Sequence, residues 1–291
     1  SFATVSRPFR SSLILAIGVL VFFLPTMVDV ARTSWSTDQG AHGPIVLVTG
    51  IWLLWGELRG APIVTRPGST KLVIALLAPL LILFTLTRIS GIIEIEGFAM
   101  YGALIVVAYA LWGAEPLRRV WFPLVYLLFV FPPPETVFAM VTQPLKIAVS
   151  QTAVSLLALL GYPIAGSGVL IMIGQYQMLV AAACAGLNSL LSLTALGLFY
   201  TYLRHKSELA YMVILVCFIL PIAVLANLVR VLLLLLITYH FGEAAGQGFF
   251  HELAGLTMFT VALLTIFVID WLAAPLRNRL ARLPARTAVP A

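Results

Sequence analysis

The chain has 291 residues, 62% of them hydrophobic and 10% charged, with 17 Lys and Arg against 11 Asp and Glu and a net charge of +6. A soluble domain is about half apolar and a quarter charged, so no soluble fold of this size has an interior able to hide so many Leu, Val and Ile side chains. Composition therefore excludes a soluble globular protein, and two cysteines, Cys184 and Cys217, do not make a disulfide framework.

Only helices and closed barrels span lipid. Barrel strands alternate apolar and polar residues over roughly ten positions, whereas this sequence has unbroken apolar runs such as residues 72–86, so helices are expected. A span needs about 20 mostly apolar residues. In chain order the candidates are 11–28, 43–58, 71–88, 97–114, 119–133, 184–203, 208–226 and 252–272. The first follows Arg7 and Arg10 and reads as an anchor, because no small-residue cleavage site stands out. The fold expected is all-α and polytopic, with about eight transmembrane helices in one integral membrane domain over residues 1–291.

Orientation follows from Lys and Arg in the short loops. With the N-terminus inside, the inner segments hold Arg7, Arg10, Arg59, Arg66, Lys71, Arg118, Arg119, Arg204, Lys206, Arg277, Arg279, Arg282 and Arg286, which is 13 of the 17 basic residues. Arg32, Arg88, Lys146 and Arg230 fall outside or at boundaries, together with Asp29, Asp38, Glu94, Glu96, Glu135, Glu243 and Glu252. An N-in, C-in arrangement is expected. Basic residues that recur at every second loop follow a membrane rule and not a nucleic-acid surface, so no nucleic-acid partner is expected.

Residues 131–183 break the pattern. FPPPE (131–135) ends the fifth helix at the outer face, since successive prolines cannot continue it. Residues 135–161 are apolar but carry Gln143, Pro144, Lys146, Ser150 and Gln151, and read as a helix lying at the outer interface or dipping into it. VLIMI and YQMLV then flank Gly174-Gln175, a signal for a small β-hairpin outside the membrane before the sixth span. The run 208–240 exceeds one upright span, so a bend near Pro221 or a turn after Arg230 is expected.

Three stretches carry residues able to do chemistry: 181–193 around Cys184, 225–233 around Arg230, and 249–259 around His251. Cys184 reads either as a small hydrophobe or, at a helix start where free N–H groups favour thiolate, as a nucleophile. Asn188 and Ser192 share its face at i+4 and i+8. Arg230, with Asn227 one turn earlier, is either a snorkelling side chain or a functional charge in the outer leaflet. His251 is either a structural interfacial residue or a titratable base, and Glu252 beside it also suits a first turn. Gln143, Lys146, Gln175, Tyr176 and Gln177 are candidate substrate contacts by location, with polar anchoring at a wet interface as the simpler reading. Under the topology fixed by the basic loops, Cys184, Arg230 and His251 share one depth on the outer side. A nucleophile, a cation and a base together are the inventory for cysteine acyl transfer.

At these motifs the chain resembles the exosortase/archaeosortase family of membrane transpeptidases of the PEP-CTERM type sorting systems. That family carries a Cys in an A-C-S-G-like helix start, an Arg in N-x-x-R and a His in H-E-x-x-G. The matches are ACAG (183–186), NLVR (227–230) and HELAG (251–255), in the same order. Ala185 departs from the family's usual Ser. The resemblance implies a catalytic core over 119–272, N-terminal spans over 1–118 and a basic cytoplasmic tail over 273–291. It implies a cysteine peptidase in the bacterial inner membrane, with its site facing the periplasm and no cofactor or metal. The implied partners are secreted proteins ending in a Pro-containing motif, a membrane helix and a basic tail, in systems associated with exopolysaccharide. Catalytic roles would fall to Cys184, Arg230 and His251, and supporting roles to Asn188, Asn227, Glu252, Gln175 and Gln177. A small-solute transporter is the alternative, with Arg230 as an anion contact, although no internal repeat is visible. A thiol redox enzyme would need Cys217 near Cys184, and no C-x-x-C exists. HELAG lacks the second His of H-E-x-x-H, which weighs against a metalloprotease.

Overall fold

The computed structural model describes residues 9–37, 40–60, 65–168, 170–179, 190–206, 208–247, 249–275 and 277. It is mostly helical, with one small sheet, and divides into two compact units, Ser1–Glu135 and Thr136–Ala291.

The first unit contains α1 (Phe9–Thr33), α2 (Gly43–Arg59), α3 (Thr70–Ser90), α4 (Ile93–Trp112), α5 (Ala114–Arg119) and α6 (Trp121–Leu127), the last running into a 3-10 turn at Leu128–Val130. α3 and α4 form a helical hairpin closed by Gly91, whose φ of 70° lets its N–H cap the end of α3. α1 packs on α4, and α2 on α6. The Glu96 carboxylate is buried and accepts from Thr26 Oγ1 at 2.7 Å and from Arg88 Nη1 at 2.6 Å, which ties α1, α3 and α4 together. The outward residues are the apolar ones: Ile74, Ile82, Leu86 and Ile89 of α3 are exposed, as are Ile45, Val48 and Trp52 of α2. A surface of this kind is stable only against hydrocarbon.

The second unit holds α7 (Glu135–Leu159), strands β1 (Ile164–Ser167), β2 (Leu170–Ile173) and β3 (Tyr176–Leu179), then α8 (Leu190–His205), α9 (Leu209–Phe241), α10 (Glu243–Gln247) and α11 (Phe249–Leu272). The strands form an antiparallel meander in the order β1-β2-β3. Ile173 pairs with Tyr176, so Gly174 and Gln175 make the two-residue turn between β2 and β3. Gly174 has φ 57°, and an added Cβ would lie 3.1 Å from the Tyr239 ring, so both conformation and space select glycine. β1 was not anticipated: IAGS is short and has no alternation to announce a strand.

α9 departs from expectation. It runs unbroken for 33 residues through both Pro221 and Arg230, with no turn after Arg230. At about 1.5 Å per residue it is roughly 50 Å long, against about 30 Å of hydrocarbon. α8 and α11 pack along it.

Among the described residues three helices qualify by length and apolarity to cross a bilayer: α3, α4 and residues 210–241 of α9. A fourth span arises if Trp121–Val130 and Glu135–Leu159, separated by non-helical residues 131–134, are counted as one broken crossing. The other expected spans coincide with α1, α2, α8 and α11, whose described stretches do not meet the same standard. α2 has 17 residues and α8 has 16.

Candidate functional site

Of the candidate residues, Asn227 and Arg230 lie on α9. Its buried positions, Ala223, Ala226, Asn227, Arg230, Val231, Leu234, Leu235 and Thr238, repeat at three and four residues, which is one broad face of a helix. Two apolar clusters divide that face. Ile222, Ala223 and Ala226 pack with Leu193 of α8 and with Met258, Ala262 and Ile266 of α11. Val231 and Leu235 pack with Val149, Ala153 and Leu157 of α7 and with Ile171 and Ile173 of β2. At about 100° per residue, Asn227, Leu234 and Thr238 fall on the strip between the two sectors, and Arg230 lies beside it, between Ala226 and Ala223. Arg230 is 6% exposed and Asn227 is 0%. Both amide atoms of Asn227, and Thr238 Oγ1, are buried without a hydrogen-bond partner.

The far end of the same helices fixes their register. The Asp270 carboxylate on α11 accepts from Tyr211 of α9 at 2.8 Å and from Tyr200 of α8 at 2.6 Å. His205 Nε2, at the end of α8, lies 2.9 Å from Oδ1 and 3.0 Å from Oδ2. The Tyr211 hydroxyl also reaches the Asp270 main-chain oxygen at 3.2 Å. The start of α9 therefore sits beside the end of α11, so the two run antiparallel. Arg230 lies 230 − 211 = 19 residues beyond Tyr211, and His251 lies 270 − 251 = 19 residues before Asp270. Equal steps along antiparallel helices bring Arg230 and the His251 backbone to the same level, about 29 Å from the Asp270 cluster.

His251 and Glu252 occupy the first turn of α11, and their side chains lie outside the description. Cys184 and Asn188 lie outside the described residues. The nearest described residues on either side of that stretch are Leu179, ending β3, and Leu190, opening α8. Both elements are packed around α9: Tyr176 of β3 packs against the cluster of Val231 and Leu235, and Leu193 of α8 belongs to the cluster of Ala226. Gln175 and Gln177 are exposed on the turn and on β3, and Gln175 Nε2 donates to the Tyr176 hydroxyl at 3.0 Å. Cys217 is exposed on α9, 13 residues before Arg230 and so roughly 20 Å from it along the axis.

Sequence reading assigns no part to Tyr200, His205, Tyr211 or Asp270. One signal was available, an acid two residues from the end of a long apolar helix, where a charge needs a partner. Among the described residues no group of three or more His, Cys, Asp or Glu is arranged to hold a metal ion.

These features define a polytopic α-helical membrane protein with a guanidinium buried on a long helix. The chain belongs to the transmembrane exosortase family: the family described as transmembrane exosortase (Exosortase_EpsH) matches residues 35–268. That stretch runs from just before α2 to near the end of α11 and includes every candidate site residue. The family is one of cysteine transpeptidases. No curated protein and no solved structure matches the chain.

Proposed function

We propose that the protein cleaves C-terminal sorting signals of secreted proteins at the outer membrane interface and passes them to an envelope acceptor. The observation that carries this reading is the level shared by Arg230 and the start of α11, in a chain whose family works through a cysteine.

In this reading the Cys184 thiolate adds to the scissile carbonyl carbon. Arg230 donates hydrogen bonds to the oxygen as it gains negative charge, and a buried guanidinium is well suited to that because little solvent competes for it. His251 passes a proton to the departing amine as the C–N bond breaks, leaving a thioester on Cys184. A second nucleophile, an acceptor amine or hydroxyl or water, gives its proton to His251, attacks the thioester and releases the thiolate. The substrate's membrane helix enters laterally from the bilayer, and its basic tail stays inside by the same charge rule that orients the enzyme. Gln175 and Gln177 on the exposed turn and strand, with Asn188, Asn227 and Glu252, are the supporting contacts.

The test is co-expression of Cys184→Ala and Cys184→Ser variants with a cognate substrate. Loss of processing in the Ala variant, and a thioester trapped on Cys184 in the parent, are expected. Normal processing by Cys184→Ala ends the proposal.

A further inference from the structure

We infer that Asn227 is a substrate-binding residue, its amide held in reserve for the main-chain N–H and C=O of one residue in the extended segment presented for cleavage. The inference rests on the proposed function above and deepens it.

The starting point is an exception to a strong rule. Buried polar side-chain atoms in folded proteins are nearly all paired. Asn227 has 0% exposure, yet neither Oδ1 nor Nδ2 has a partner. The residues around it on the helix, Ala223, Ala226 and Val231, are apolar and close-packed in the two clusters. Nothing in the fold asks for an amide there. An apolar residue of the same volume would fill the space without leaving a donor and an acceptor unmade. A feature that costs stability and lies beside a reactive centre marks a place where function and stability pull apart.

The amide's chemistry names the ligand. A primary carboxamide offers one acceptor oxygen and a two-proton donor side by side. In extended backbone the N–H and C=O of a single residue point to the same side, as they do in the hydrogen-bonded pairs of an antiparallel ladder. An Asn side chain can match both. Asn227 lies about one turn from Arg230, about 4.5 Å along the axis and on the same buried face. A main-chain group held there therefore sits next to the carbonyl that Arg230 would face. Such a contact reads extension and not side-chain identity, which suits a segment kept extended by a proline. Because Asn227 is closed off in this structure, α9 and its neighbours must part slightly to admit the segment.

The test uses the full-length protein in lipid nanodiscs, with thermal unfolding and steady-state cleavage of a sorting-signal substrate measured together. Asn227→Leu is expected to keep or raise Tm while kcat/KM falls at least tenfold. Thr238→Val, which removes the other unpartnered hydroxyl on the strip, is expected to leave kcat/KM within twofold. A fall in Tm for Asn227→Leu would mean the amide is already satisfied, by bound water for instance, and would overturn the inference. So would unchanged kcat/KM, or an equal loss in Thr238→Val. A second route does not depend on the variant folding. Substrates carrying an ester in place of each amide near the scissile bond should include one that the wild-type enzyme cleaves at least tenfold less well. In Asn227→Leu that same ester should have little further effect. If no ester position weakens cleavage, the inference falls. Retained processing in Cys184→Ala would instead remove the proposed function itself, so the two failures are distinguishable.

Discussion

Arg230 is a long cationic side chain that the fold encloses at 6% exposure on a helix made mostly of Leu, Val, Ile and Ala. A lysine there would keep the charge and lose the planar fork of donors. If the guanidinium steadies an oxyanion, Arg230→Lys should lower kcat by about a hundredfold or more while Tm in detergent changes little. Substrate turnover with KM and kcat resolved checks this, since a purely structural Arg would show itself in Tm. At the same scale the sequence nominates residues able to do chemistry and is silent on their surroundings. NLVR announced Arg230 and Asn227 by residue type and spacing, but not the orphaned amide, because the clusters that bury it come from α7, α8, β2 and α11. Asp270 was missed for a related reason. Its partners lie 59 to 70 residues away in sequence, and no local pattern records such a meeting.

Among the elements, α9 carries the most consequence. Sequence reading expected it to bend at Pro221 or stop after Arg230, because the run is longer than one upright span. It continues as helix through both positions: a proline can sit inside a membrane helix where neighbouring groups re-satisfy the freed carbonyl, and α8 and α11 pack along it. The proline break at 131–134 was legible, because consecutive prolines leave few alternatives. β2 and β3 were legible from the apolar runs that flank Gly174-Gln175, whereas β1 becomes a strand only by pairing with β2. What holds α8, α9 and α11 in step is the Asp270 carboxylate with its three side-chain partners. Asp270→Asn should cost about 3 kcal/mol, since it weakens several hydrogen bonds to a buried charge at once, and Tyr211→Phe should cost about 2. Unfolding of each variant in mild detergent measures both, and a Tyr211→Phe protein as stable as the parent would show that the network does not set the register.

For the whole molecule, the charge pattern and the apolar exterior agree on a bilayer, and orientation rests on the basic loops. Two cysteines make orientation measurable. A charged, membrane-impermeant maleimide added outside intact cells should label Cys184 and spare Cys217, which is exposed on α9 eight residues beyond Leu209 and so about 12 Å along it, facing lipid. Labelling of Cys184 only after the membrane is opened from the inner side would reverse the topology.

The unbroken length of α9 makes bilayer thickness a variable of the chemistry. A rod of roughly 50 Å that carries Arg230 some 29 Å above Tyr211 meets a hydrocarbon layer of different depth by changing its tilt. With Arg230 in the outer leaflet, as proposed, thin membranes should lift it toward the headgroups and thick ones should draw it into the acyl chains. Turnover in vesicles of graded acyl-chain length should therefore pass through an optimum, with KM for a membrane-anchored substrate rising on both flanks as the two helices tilt out of step.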